Sequence, residues 1–229
     1  MGKDVIIACD FKNKNETLKF LSLFKKRKPF VKIGMELFYA EGPSIVKEIK
    51  KRGHKIFLDL KLHDIPNTVR KSMSVLSKLN VDMVNCHASG TKAMMKAARE
   101  GLGNKTKLIA VTQLTSTDQK TMQQDLLIDR DLNKVVMHYA KTAKGAGLDG
   151  VVCSPLEAAK VHEACGESFL TVTPGIRFPE GEKGDQKRVM TPAQAKRIGS
   201  DYIVVGRPIT AADDPVAAYE RCVKEFLNE

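Results

Sequence analysis

The chain has 229 residues, 42% hydrophobic and 28% charged, which suits one globular domain with a sizeable core. A formal net charge of +11 would fit a nucleic-acid binder, but only Lys25-Lys26-Arg27-Lys28 is dense, no aromatic interleaves it and Trp is absent. The charge is therefore read as the basic character of an enzyme with an anionic substrate and no nucleic-acid partner. Five cysteines, odd in number and without a Cys-x-x-Cys pair, argue against a disulfide framework or a zinc site and fit a reducing cytosol.

Met1-Gly2-Lys3-Asp4 leads, without a signal-peptide pattern, into an apolar run at 5–9 that reads as a strand. A helical pattern follows at 17–25, with Leu18, Leu21 and Phe24 three apart. The alternation then repeats: strand 31–33 and helix 43–51; strand 56–58 and helix 68–78; strand 83–85 and helix 93–100. It continues as strand 108–111 and helix 132–144, strand 150–152 and helix 156–164, strand 169–172 and helix 192–198, and strand 202–205 and helix 215–227. Thr91, Ser154-Pro155, Thr191-Pro192 and Asp214-Pro215 read as helix starts, and Gly53, Gly145 and Gly147 as helix ends. Eight strand–helix units without a linker predict a single (β/α)8 TIM barrel spanning 1–229, and near-continuous strand apolarity predicts a sheet covered on both faces. An open doubly wound sheet is the runner-up, weakened by the lack of Gly-x-Gly-x-x-Gly after the first strand. The connections at 114–130 and 174–190 are long, as binding loops and lids often are. No apolar run approaches the roughly 20 residues of a membrane span, so a cytoplasmic protein without a membrane partner is expected.

In such a barrel the active site lies at the C-terminal strand ends, and there the unusual polar residues gather. Asp10 follows the first strand, Lys32 lies in the second, and Asp59 and Lys61 end the third. Asn85 and His87 end the fourth, Thr112 to Thr115 the fifth, Pro174-Gly175-Ile176-Arg177 the seventh and Gly206-Arg207-Pro208 the eighth. Asp59 and Lys61, two apart, share a face, and Asp64 follows in the turn. Charges are rarely buried unless paired, so carboxylate, ammonium and carboxylate at the mouth of an apolar strand suggest chemistry. The plainer alternatives are a structural ion pair for Asp59 and Lys61, an exposed edge position for Lys32, and hydrogen-bonded structural histidines at His63 and His87. Gly175 and Gly206 allow close approach of backbone N–H groups to a phosphate, and Arg177 and Arg207 supply forked donors.

The stretch Asp59-Leu60-Lys61-Leu62-His63-Asp64-Ile65-Pro66-Asn67-Thr68-Val69 resembles the motif of orotidine 5′-phosphate decarboxylases, in the wording of the shorter bacterial form. The resemblance extends to Asp10, Lys32, Thr173-Pro174-Gly175-Ile176-Arg177, Gly184-Asp185-Gln186-Lys187-Arg188-Val189, Thr191-Pro192 and Val205-Gly206-Arg207-Pro208-Ile209. It implies cofactor-free, metal-free loss of CO2 from orotidine 5′-monophosphate to give UMP, the last step of de novo UMP synthesis. By the resemblance Lys61 protonates C6, Asp59 lies near the substrate carboxylate, and Lys32 and Asp64 complete the charged network. It also implies a homodimer in which Asp64, Ile65 and Thr68 reach the partner's site. Asp10 and Lys32 would meet ribose hydroxyls and Thr115 the pyrimidine edge. Gln186, Gly206 and Arg207 would hold the phosphate, and the loop of Pro174 and Arg177 would close over it. The competing readings are a metal-dependent sugar-phosphate lyase or epimerase on the same barrel, which the lysines at Lys32 and Lys61 oppose, and a basic nucleic-acid or regulatory binding protein.

Overall fold

A computed structural model describes residues 3–180 and 189–228. Eight parallel strands close into a (β/α)8 barrel in sequence order. They are β1 (Asp4–Ala8), β2 (Phe30–Gly34), β3 (Ile56–Leu62), β4 (Met83–His87), β5 (Lys107–Val111), β6 (Gly150–Val152), β7 (Leu170–Thr173) and β8 (Tyr202–Val205). The helices are α1 (Lys14–Leu21), α2 (Met35–Glu41), α3 (Pro43–Lys51), α4 (Pro66–Ser77), α5 (Thr91–Leu102), α6 (Gln119–Asp125), α7 (Leu132–Gly145), α8 (Ala158–Cys165), α9 (Pro192–Arg197), α10 (Arg207–Thr210) and α11 (Pro215–Leu227). Among the described residues no helix is long and apolar enough to cross a membrane.

Strand alternation sorts the core into two layers. Val5, Ile7, Val31, Ile33, Ile56 and Leu58 point outward and pack with the helices, for instance with the buried Tyr219 and Phe226 of α11. Ile6, Phe30, Phe57, Met83, Ile109, Leu170 and Tyr202 point inward and fill the barrel as an apolar plug. Fully burying each such side chain is worth about 1.5–3 kcal/mol. The next inward positions toward the C-terminal mouth, two residues on from Phe30, Phe57 and Met83, are Lys32, Asp59 and Asn85. The plug is thus the floor on which the charged residues stand.

A repeated device secures the opposite end. Asp82, Asp149 and Asp201 each precede an even-numbered strand and accept an amide from the first or second residue of the strand before it. The distances are Ile56 N to Asp82 at 2.8 Å, Leu108 N to Asp149 at 2.6 Å and Thr171 N to Asp201 at 2.8 Å. A base from the preceding outer layer meets each carboxylate: Lys50 of α3, Arg99 of α5 and His162 of α8. Removing Asp149 leaves a strand amide and a guanidinium short of an acceptor. Asp149→Ala is therefore expected to lose about 2–4 kcal/mol in urea unfolding. Because Asp149 lies on the barrel floor, the folded fraction should keep parental kinetics. A loss under about 0.5 kcal/mol, the range of a neutral surface change, would contradict this role.

The predicted elements stand with local corrections. Cys9 lies just past β1, although its amide still bonds Lys32 O at 3.0 Å. Gly90, not Thr91, is the N-cap of α5, and Gly145 is the last helical residue of α7, with Ala146 as its cap. The helix predicted at 17–25 starts earlier, where Asn13 accepts Glu16 N, and ends at Leu21. The long 114–130 connection holds α6, capped by Asp118 on Thr121 N at 2.8 Å. Strand β3 runs four residues past its predicted end, because it continues through an irregularity rather than stopping at it.

Candidate active site

That irregularity shapes the site. Leu58 pairs with Val84 and Leu62 with Cys86, so β3 spends two more residues than β4 between these pairings. Within it Lys61 adopts φ +51°, a left-handed conformation that costs a non-glycine residue about 1–2 kcal/mol. The Lys61 amide donates to Asn85 Oδ1 at 2.8 Å.

The side chains form a row of alternating charge. Lys32 Nζ lies 2.9 Å from Asp10 Oδ1 and 3.4 Å from Asp59 Oδ2. Lys61 Nζ lies 2.7 Å from Asp59 Oδ1, which also accepts from Asn85 Nδ2 at 2.7 Å. The closed barrel leaves β2 no edge, so Lys32 is an interior residue with a side chain only 12% exposed. Burial pushes the Asp59 carboxyl up, but Lys32 and Lys61, with hydrogen bonds from Lys61 and Asn85, outweigh it and hold the group below the ordinary carboxylate range. Burial likewise pulls the Lys32 ammonium down, and Asp59 and Asp10 more than reverse it. Both groups are ionised across the neutral range. His87 stacks at a tilt on His63, ring centroids 5.5 Å apart, and burial, then His63 and Lys61, lower its pKa below the usual 6.5. A neutral imidazole therefore borders Lys61 at pH 7.

Lys32, Asp59, Lys61, Gln113, Thr115 and Pro174 line a cavity of about 210 Å³ above the apolar plug. Thr115 and Pro174 thus line the same cavity as the charged row. Asp64 does not: among the described residues it makes no ion pair, and its Oδ1 accepts the Ile65 amide at 2.6 Å. Ile65, the N-cap of α4, is 66% exposed, and Thr68 in the first turn of α4 is exposed. On the far side of the mouth Gly175 has φ +83°, a conformation that suits glycine. Arg177 pairs its amide with Met190 O at 2.9 Å and its guanidinium with Ile176 O at 2.8 Å. Gly206 is the N-cap of α10 and Arg207 its first residue. Gln186 lies outside the described residues. Asn85 and Gln113, both buried and polar, were read from sequence only as polar residues at strand ends, without a role. The signal for Asn85 was its place two residues after Met83, on the inward face shared with Lys32 and Asp59.

A closed (β/α)8 barrel with paired lysines and carboxylates at its C-terminal mouth, and glycine–arginine turns after β7 and β8, has the architecture of a barrel enzyme with its site at that mouth. The sequence model of the orotidine 5′-phosphate decarboxylase / HUMPS family matches residues 3–222. The orotidine 5′-phosphate decarboxylase of Streptococcus suis is 59% identical over 97% of this chain and 96% of its own length. That of Geobacillus sp. is 51% identical over 100% of this chain and 99% of its own. The crystal structure of the Lactobacillus acidophilus orotidine 5′-phosphate decarboxylase superposes with a TM-score of 0.88 at 45% identity, covering 98% of this chain and 99% of that one. The chain belongs to the orotidine 5′-phosphate decarboxylase / HUMPS family.

Proposed function

We propose that the chain catalyses the cofactor-independent decarboxylation of orotidine 5′-monophosphate to UMP and CO2, with Lys61 as proton donor. The observation that carries this reading is the row Asp10, Lys32, Asp59, Lys61, with its ammonium groups fixed by carboxylates over an apolar floor. The bond between C6 and the carboxylate breaks, CO2 leaves, and the electron pair stays on C6. The Lys61 ammonium stabilises that charge and gives C6 its proton; the neutral amine regains one from solvent. Asp59 and Lys32 hold the ammonium in place, and Asp10 and Lys32 bind the ribose hydroxyls. Thr115 meets the pyrimidine edge. Gln186, Gly206 and Arg207 hold the 5′-phosphate, with Pro174 and Arg177 in the loop that closes over it, so that binding energy remote from C6 assembles the site.

The active form is a cytoplasmic homodimer in which Asp64, Ile65 and Thr68 complete the partner's site. Exposed apolar side chains beside this turn support it: Met35 is 43% exposed, Tyr39 72% and Ile65 66%. The relatives of high identity, each named an orotidine 5′-phosphate decarboxylase, support the substrate.

The test is the absorbance change on mixing the protein with orotidine 5′-monophosphate, with and without excess EDTA. Turnover indifferent to chelator is expected. A folded dimer that leaves the substrate untouched would overturn the reading and direct the search to sugar phosphates with magnesium. Gly34→Ala gives a finer check, because an added Cβ would sit 3.0 Å from Asp10 Oδ1 and 3.2 Å from Lys32 Nζ. Its φ of −87° suits alanine, so the fold should hold while turnover drops about tenfold, as expected when a positioned group shifts by part of an ångström. Unchanged kinetics would show that the Asp10–Lys32 pair is not held to that tolerance.

A further inference from the structure

The geometry points to Asn85 as a positioning residue that clamps Lys61 at two points, its backbone amide and the carboxylate that receives its ammonium. This rests on the reading of Lys61 as the proton donor. Asn85 is 1% exposed and is set in β4, where β3 slips out of register with it. Its Oδ1 takes the Lys61 amide at 2.8 Å, and its Nδ2 gives a hydrogen bond to Asp59 Oδ1 at 2.7 Å. The same Asp59 oxygen accepts Lys61 Nζ at 2.7 Å.

These partners fix the orientation of the amide. The Lys61 N–H only donates and the ionised carboxylate only accepts, so a flipped amide would lose both bonds and oppose like to like. The first bond serves the amide of a residue held at φ +51°, at a place where the β3–β4 pairing is irregular. The second holds the carboxylate at one angle, so that the ammonium approaches from the other side. Asn85 therefore sets both where the Lys61 stem starts and where its head rests. Serine is too short to span both partners, and a leucine of similar volume satisfies neither.

Two substitutions test this. Asn85→Ala removes both bonds, and kcat should fall about 100-fold while KM changes less than about threefold, the pattern of a displaced catalytic group. Asn85→Asp is nearly isosteric and keeps an acceptor for the Lys61 amide, but its second oxygen faces the Asp59 carboxylate. Two carboxylates that close cannot both ionise, so the introduced carboxyl replaces the lost donor only while it holds a proton. The charged and titratable groups around it are Asp59, Lys61, Lys32 beyond them, and the His63–His87 pair; the Cys86 thiol, pushed up to about 12 by burial, stays neutral.

Asn85→Asp should thus approach parental kcat in acid and lose about 100-fold as the pH rises through that ionisation, a step absent from the parent profile. A purely structural asparagine would lower stability without moving the profile. Parental kcat in folded Asn85→Ala, or a parental pH profile in Asn85→Asp, would overturn the proposal, and the second variant keeps it testable if the first does not fold. A Lys61→Ala control separates the two readings. Parental turnover in that control overturns the proton-donor assignment itself; an inactive control beside parental Asn85 variants overturns only the role of Asn85.

Discussion

Lys61→Ala is expected to fold normally and to lose at least about 1,000-fold in turnover, with a smaller change in substrate affinity. The fold should tolerate it because the side chain stands at the barrel mouth, 27% exposed, and contributes nothing to the apolar plug. Asp59 keeps Lys32 at 3.4 Å and Asn85 at 2.7 Å, so its charge is not left bare. What would disappear, on the proposed mechanism, is the group that both balances negative charge at C6 and supplies a proton. Those contributions separate with Lys61→Arg, which keeps a positive charge but holds its proton too tightly to give it up. If charge alone matters, Lys61→Arg recovers most of the rate; if proton delivery matters, it stays near Lys61→Ala. A folded Lys61→Ala chain with parental turnover would remove Lys61 from the reaction, whatever else the barrel does.

The sequence made this residue visible for a reason that also marks the limit of sequence reading. Asp59 and Lys61 stand out because charge at the end of an apolar strand is costly, and a regular period of two puts them on one face. They do meet, but through a left-handed Lys61 and a register slip that no alternation rule contains. For the same reason Asn85 was legible as a polar strand end and illegible as a partner. Its contacts bridge 24 and 26 residues and exist only in the register actually formed. Barrel closure and strand order followed from eight repeated apolar runs. The helices α2, α6 and α10 did not, because each buries only one side chain, Leu37, Met122 and Ile209, and so carries no apolar stripe to read. The carboxylates at the barrel floor escaped notice for a different reason. Asp82, Asp149 and Asp201 look like ordinary turn residues, and their work on a neighbouring strand appears only once the strands are paired.

Mixing inactive Lys61→Ala chains with inactive Asp64→Ala chains is expected to restore about a quarter of parental activity once subunits have exchanged, on the isologous dimer geometry. Asp64 Oδ1 takes the Ile65 amide, and no ammonium of its own chain pairs with it among the described residues. It nevertheless sits on the turn that follows β3, beside exposed Ile65 and Tyr39 and close to Lys61, with which it lines an open depression of about 450 Å³. In the proposed dimer, a two-fold axis at this face would bring the Asp64 of one subunit toward the Lys61 of the other. In a hybrid dimer one site then combines both defects and the other combines neither. With about half the dimers hybrid and one of their two sites intact, about a quarter of the sites work. If Asp64 instead served its own chain, every site in every dimer would carry one defect and mixing would restore nothing. Native mass spectrometry of the mixture must show hybrids for the result to count. Hybrids without activity would confine Asp64 to its own subunit, and a chain that stays monomeric at assay concentration while turning over substrate would remove the shared site altogether.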